Sequence, residues 1–377
     1  MGFNMQQSRR HHYVPEWYQR RFIPNGDTSY YRLDLHPDLI TTPQGEVIRK
    51  GEILRKGPTK FFHQIDLYTT KYFGIENDDI ERYLFGTIDS KGALALSALS
   101  AEDWMEKIHE HVINFYEYVD AQRLRTPKGL NWLTKTFKPK DYNELLMKMQ
   151  RVRKMHCTMW AEAFLEIVSA KNSSIKFIVS DNPVTFYNSE LYPGNVSCKY
   201  PFDPSLDLQG TRTIFPLDSE HCIILTHRQF ARKPGKVKAL KRRINARYFD
   251  STVVNYHDFI RERYFNEKMV ATINFILKAR AERYIAASNP EWLYPEKVLK
   301  NTDWASFDKI FRSRSGKLLG DNAEIFLGGK NGELIATQDE YGRKPKSQKE
   351  WEEKERQARA MHEHILKILK QHNNESS

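Results

Sequence analysis

The chain has 377 residues, of which 40% are hydrophobic and 12% aromatic, so it can build a core and wholesale disorder is excluded. It carries 59 Lys and Arg against 48 Asp and Glu, a formal net charge of +11, with a mean hydropathy of −0.67. No run approaches the roughly 18 consecutive apolar residues of a membrane span, so no membrane partner is expected. Cys157, Cys198 and Cys222 stand far apart with no Cys-x-x-Cys, which excludes a disulfide framework and a cysteine-rich zinc site. The first residues lack the apolar stretch of a secretory signal, and a cytoplasmic location is the expectation.

In chain order, 11–23 reads as a lead-in followed by a helix. Pro15 suits the first turn, and Glu16 and Arg20 suit the two ends of the helix dipole. Pro24-Asn25-Gly26-Asp27 is a turn, and 29–35 alternates like a strand. Residues 36–60 read as loop with short strands near Val47 and Ile53. Asn77-Asp78-Asp79 begins a helical region. A long helix is expected over about 102–126, with Met105, Ile108, Val112, Phe115 and Val119 as its apolar stripe and Pro127 closing it. Another is expected over about 141–170. Strands follow at 175–180 and 184–187, then a hairpin pairs 211–217 with 221–226. Helices resume over about 250–287. Glycines mark turns through 288–345, and 347–371 is a charged amphipathic helix.

This pattern predicts an α+β fold: a mainly helical body with a small antiparallel β-sheet from the middle of the chain. The expected division is a core domain over 1–265 and a helix-rich extension over 266–377. The terminal helix is a potential docking surface for a protein partner.

The charge is uneven. Residues 121–154 hold ten Lys and Arg against Asp141 and Glu144, and 221–249 hold nine Lys and Arg and no acid. Two such blocks suit a polyanion, and nucleic acid is the expected partner. They equally suit a solvated helix face and a soluble loop.

Four polar segments stand where local structure does not require them. His11 and His12 precede a helix start, which disfavours imidazolium, and neutral histidine serves as a base or a metal ligand. Gln122 extends the apolar stripe into a core position, so a polar group must meet its amide. Arg123 and Arg125 end the same helix, as dipole partners or as forks for phosphate. Asp181 and Asn182 follow an apolar strand, either as a plain turn or as a catalytic or metal position. Asn255 is a weaker fourth candidate.

Taken together, His11-His12-Tyr13-Val14-Pro15 with Trp17-Tyr18-Gln19-Arg20-Arg21-Phe22 resembles the opening of a bacterial domain-of-unknown-function family, number four-two-three-eight. Ile65-Asp66-Leu67-Tyr68-Thr69, Ile80-Glu81, Gln122-Arg123-Leu124-Arg125-Thr126-Pro127, Phe177 to Val184, Pro216-Leu217 and Asn255 follow in order. The resemblance covers about 9–265, with Gln19 where the family carries Leu. It implies a shared site and no particular reaction.

The expected function is a metal-dependent phosphodiesterase or nuclease-like enzyme acting on nucleic acid, such as an antiphage defence or toxin-type effector. His11, His12, Asp181 and Asn182 would be catalytic, with His12 and Asp181 as ligands of Mg²⁺ or Mn²⁺. Gln122, Arg123, Arg125 and Asn255 would bind phosphate or substrate. A non-catalytic nucleic-acid-binding module and a small-molecule or nucleotide-binding effector remain as alternatives. The absence of Gly-x-Gly-x-x-Gly and of Gly-x₄-Gly-Lys-Ser/Thr disfavours Rossmann and P-loop forms of the last.

Overall fold

The computed structural model describes residues 9–72, 75–232, 238–243, 259–311, 324–329, 332–339 and 343–375. The chain opens with β1 (Arg10–His12), α1 (Glu16–Arg20) and β2 (Tyr30–Asp34), with Pro15 immediately before the helix as its fixed φ favours. β3 (Asp38–Thr41) and β4 (Val47–Lys50) form an exposed hairpin, while β5 (Ile53–Lys56) pairs with β2. β6 (His63–Ile65) returns to pair with β1, and β7 (Thr70–Tyr72) pairs with β8 (Ile75–Asn77).

A π-helical turn, Ile80–Phe85, runs into α2 (Gly86–Ser100). Next comes α3 (Trp104–Leu124), which buries Ile108, Val112, Phe115 and Val119 as the stripe predicts, although Met105 is exposed. Pro127 does more than close α3. It is the first residue of α4 (Pro127–Phe137), where its missing N–H is harmless, and Thr126 caps that helix by accepting the Gly129 N–H at 3.0 Å.

The expected helix over 141–170 is instead three elements: α5 (Tyr142–Arg151), α6 (Cys157–Ala161) and β9 (Ala163–Ser169). The seven-residue step from Val152 to Met159 fits a continuous helix, but Lys154 takes a left-handed φ of 67° between them. Beyond it, Phe164 to Val168 is a fully apolar stretch apart from Glu166, which suits a strand buried on both faces. β10 (Val179–Ser180) and β11 (Thr185–Tyr187) follow, then the expected hairpin of β12 (Arg212–Pro216) and β13 (His221–His227), and α7 (Arg228–Arg232).

Of the helices expected over 250–287, the described residues hold one, flanked by two strands. Residues 250–258 lie outside the described residues. β14 (Phe259–Tyr264) precedes α8 (Glu267–Arg280), capped by Asn266, and β15 (Tyr284–Ala287) follows it. The chain ends in β16 (Glu324–Gly328), β17 (Leu334–Asp339) and the long α9 (Gln348–Glu375). None of the described helices is long and apolar enough to cross a membrane.

The fold is therefore mixed α+β, and one expectation is corrected: the strands form several small sheets and do not come only from mid-chain. Besides two-stranded hairpins, the described residues form a four-stranded sheet ordered β10-β15-β2-β5 and a five-stranded sheet ordered β11-β12-β13-β9-β14. Pairings are antiparallel except β14 with β9. The four-stranded sheet joins the N-terminal strands β2 and β5 to β10 and to β15, so the chain on both sides of position 265 shares one sheet.

Alternation along β12 and β13 sends Phe215, Ile223 and Leu225 toward α3 and α1, and Ile214, Cys222 and Ile224 toward α8. The five-stranded sheet is thus buried on both faces, by the N-terminal helices on one side and α8 on the other. Close backbone approach fixes α3 against α4. A Cβ added to Gly129 would sit 2.3 Å from the Arg123 carbonyl oxygen and 2.6 Å from that of Leu124. Gly129→Ala is expected to cost about 1–3 kcal/mol in chemical denaturation, since the obstacle is backbone. An unchanged midpoint would mean that α4 shifts freely along α3.

Candidate functional site: two histidines and a guanidinium beside a pinned turn

β1 and β6 are in register with His11 opposite Gln64 and His12 opposite His63. The strand period turns consecutive histidines to opposite faces. His11 points inward and is fully buried. Its Nδ1 accepts the Tyr68 N–H at 2.9 Å, and its ring stacks on the Tyr68 ring at 5.5 Å between centroids. That nitrogen carries a lone pair bound in a structural hydrogen bond.

His12 faces the other way and meets His63 edge to face, with ring centroids 5.4 Å apart. His12 Nε2 lies 3.5 Å from Glu16 Oε1 one helical turn on, and makes no hydrogen bond. His63 Nδ1 is likewise buried without a partner. Burial lowers the pKa of His12, against the pull of Glu16 and of the Thr59 and Pro58 carbonyls. Burial also lowers that of His63, and there His12, Arg10, Lys60 and Arg32 push in the same direction. Sequence reasoning missed His63, although it stands two residues before the Ile65 to Thr69 segment that carries part of the family resemblance.

Arg32, on β2, completes this group. Its Cζ lies 5.0 Å from the Phe61 ring centroid and 4.1 Å from that of Tyr284. Its Nε is buried without an acceptor, and no carboxylate pairs with it among the described residues. Gln19, the departure from the family pattern, anchors the surrounding backbone. Its Nε2 donates to the Val14 carbonyl at 2.7 Å and its Oε1 accepts from Tyr30 Oη at 2.6 Å.

Most of the other expected site residues are occupied by structural bonds. Gln122 is fully buried where the stripe placed it, donating to the Tyr13 carbonyl at 2.8 Å and accepting from Arg125 Nε at 2.8 Å. Arg125, 1% exposed, pairs with Asp89 at 2.8 Å, and its carbonyl accepts from Tyr68 Oη at 2.5 Å. Burial opposes the charge of Arg125, yet Asp89, Tyr118, Tyr68 and Glu81 hold its pKa above the usual value.

Asp181 is buried after β10. Its carboxylate accepts three consecutive backbone N–H groups, from Glu282 at 2.8 Å, Arg283 at 2.6 Å and Tyr284 at 2.7 Å. Burial raises its pKa to about 6 even against those donors, which favour the carboxylate. Asn182 Nδ2 reaches the Arg280 carbonyl at 3.3 Å, and Lys128 Nζ donates to the same oxygen at 2.8 Å. Asn255 lies outside the described residues, as do 233–237 and 244–249 of the second basic block.

Arg123 differs from these neighbours. Its guanidinium lies 4.5 Å from the Trp132 centroid and 5.1 Å from that of Phe186, with Nη1 buried and unpaired. Burial lowers its pKa, against the nearby Asp120 and Asp203. Both acids are engaged elsewhere: Asp120 by His156 Nδ1 at 3.1 Å, and Asp203 by Lys128 Nζ at 2.8 Å.

Gln122 thus ties the end of α3 to the opening segment, and the Arg280 carbonyl, shared by Asn182 and Lys128, ties the Asp181 corner to the start of α4. His12 and Asp181 do not assemble a metal centre. Among the described residues, no three His, Cys, Asp or Glu side chains are placed to hold an ion.

A protein family described as being of unknown function, DUF4238, matches residues 10–291. The chain belongs to this family. The match runs from β1 through β15, so it spans both larger sheets and every site residue named above. No curated protein and no solved structure matches this DUF4238 chain.

The bonding at Asp181 has a measurable cost if disturbed. Asp181→Asn turns one acceptor oxygen into an amine facing N–H donors, and should lose about 1–3 kcal/mol of unfolding free energy. Wild-type stability in this variant would show that the clamp is dispensable.

Glu81, in the π-helical turn, has a buried, unpaired Oε2. Burial raises its pKa from 4.5 to about 7, against the opposing pull of Arg125 and with help from Asp89 and Asp78. The folded chain thus holds a proton that the unfolded chain releases, and stability falls as pH rises through that window. Glu81→Gln should show a smaller drop in melting temperature between about pH 5 and pH 7.5 than the wild type. Equal drops would place the pH dependence elsewhere.

Proposed function

We propose that this DUF4238 chain is a phosphodiesterase acting on nucleic acid, with His12 and His63 as the proton-transfer pair and Arg32 as the phosphate fork. One observation carries the reading. Three buried nitrogens, His12 Nε2 and His63 Nδ1 on the paired strands β1 and β6 and Arg32 Nε on β2, lack hydrogen-bond partners. Buried polar atoms of this kind call for a ligand or water, and these belong to residue types suited to an anion.

The environments of the two histidines divide the roles. Glu16 beside His12 favours its charged form against burial, and this assigns His12 the acceptor role. His63, among Arg10, Lys60 and Arg32, which disfavour its charged form, takes the donor role. A water oxygen attacks phosphorus as His12 Nε2 takes its proton. The bond from phosphorus to the leaving oxygen breaks as protonated His63 delivers a proton from Nδ1 to that oxygen. Charge gathering on the phosphoryl oxygens faces Arg32, held flat between Phe61 and Tyr284.

The test is hydrolysis of end-labelled single-stranded DNA and RNA, with and without a chelator. His12→Ala and His63→Ala should each lower turnover by about 10²–10⁴-fold. The wild type should show a bell-shaped pH profile, and Arg32→Met should weaken substrate binding. Turnover unchanged in both histidine variants, or no product from any nucleic acid, defeats the reading. Activity abolished by the chelator favours the metal-dependent form instead.

A further inference from the structure

Resting on that reading of the His12, His63 and Arg32 site, we propose that Arg123 and the outer face of α4 bind the backbone of single-stranded nucleic acid beyond the reacting phosphate. Three observations support this. Arg123 makes no ion pair among the described residues, although Asp120 and Asp203 lie near it. Its guanidinium is held between Trp132 and Phe186, its Nη1 is buried and unpaired, and the nearest acids are engaged by His156, Lys128 and the Lys154 N–H, the last at 2.6 Å. Guanidinium groups fixed on aromatic faces keep their N–H edges available for phosphate.

Second, Asn131, Lys135 and Lys138 are exposed at the i, i+4 and i+7 positions of α4 and its C-cap. They form one row of donors beside Trp132, without an acidic residue from Pro127 to Lys140. Tyr200, more than half exposed, is tied to this row by Asn131 Nδ2 at 2.6 Å. Lysines interleaved with accessible aromatic rings suit a strand whose bases are free to stack, which a closed duplex does not offer.

Third, the row is fixed relative to the reacting group. Tyr200 Oη donates to Glu282 at 2.6 Å, and Lys128 at the root of α4 donates to the Arg280 carbonyl. Tyr284, two residues beyond Glu282, covers Arg32. One turn, pinned by Asp181, therefore carries contacts to α4 on one side and to Arg32 on the other. The α4 row and the Arg32 group are thus tied to the same short segment of chain, Arg280 to Tyr284.

Binding is read by fluorescence anisotropy on His12→Ala, which removes turnover, with a labelled single-stranded 12-mer, its duplex, and a 5′-mononucleotide as competitor. Lys135→Gln/Lys138→Gln and Arg123→Met, each added to that background, should weaken 12-mer binding by about tenfold. Each removed phosphate contact should lower the slope of affinity against salt by about one. Mononucleotide competition should stay as in the parent. The exposed lysine pair keeps the test valid if Arg123→Met disturbs folding.

A 12-mer affinity and salt slope unchanged in both variants overturns the α4 surface, and leaves the histidine site standing if His12→Ala and His63→Ala have abolished hydrolysis. Equal loss for mononucleotide and 12-mer also overturns it, as does a duplex bound as tightly as the single strand. If neither the 12-mer nor the mononucleotide binds the parent, both readings fall.

Discussion

The arrangement depends on one carboxylate. Asp181 accepts three successive N–H groups of the turn between α8 and β15, and its own N–H donates to the Tyr284 carbonyl at 2.9 Å. A buried acid is costly unless hydrogen-bonded, and this one is satisfied entirely by backbone. The result is a turn with little freedom. It starts β15 in register between β10 and β2, and it sets Tyr284 under the Arg32 guanidinium.

Around this turn the polar residues separate into two groups. His11, Gln122, Arg125 and Asn182 bond to backbone or to one another, and so fasten the opening strand, the end of α3 and the end of α8 together. His12, His63, Arg32 and Arg123 retain nitrogens with no partner, held in place by rings and neighbouring strands. The first group supplies rigidity and the second supplies unmet bonding capacity. A site that must hold an anion without rearranging needs both.

The sequence indicated this division only in part. The α3 stripe identified Gln122 as a buried amide in need of a partner, because helical period is a local property. Pro15 marked a helix start for the same reason, and the helix expected from about 141 does begin there, capped by Asp141, whereas the cap at Asn266 lay inside a stretch read as helix throughout. Asp181 looked like a turn former or a metal ligand, and its true partners lie about a hundred residues away, where no spacing rule reaches. His63 became visible only through strand pairing, since registry between β1 and β6 is a tertiary fact. The helix expected over 141–170 broke for a related reason: β9 is an apolar strand buried on both faces, and such strands lose the alternation that separates strand from helix.

The position of β15 also governs when the protein can exist as a folded object. β2 is complete by residue 34 and β10 by residue 180, yet the strand that lies between them ends at Ala287. During synthesis, both wait with an open edge until the chain has been made as far as Ala287. Such long-range closure slows folding and leaves unpaired strand edges open to wrong partners in the interval.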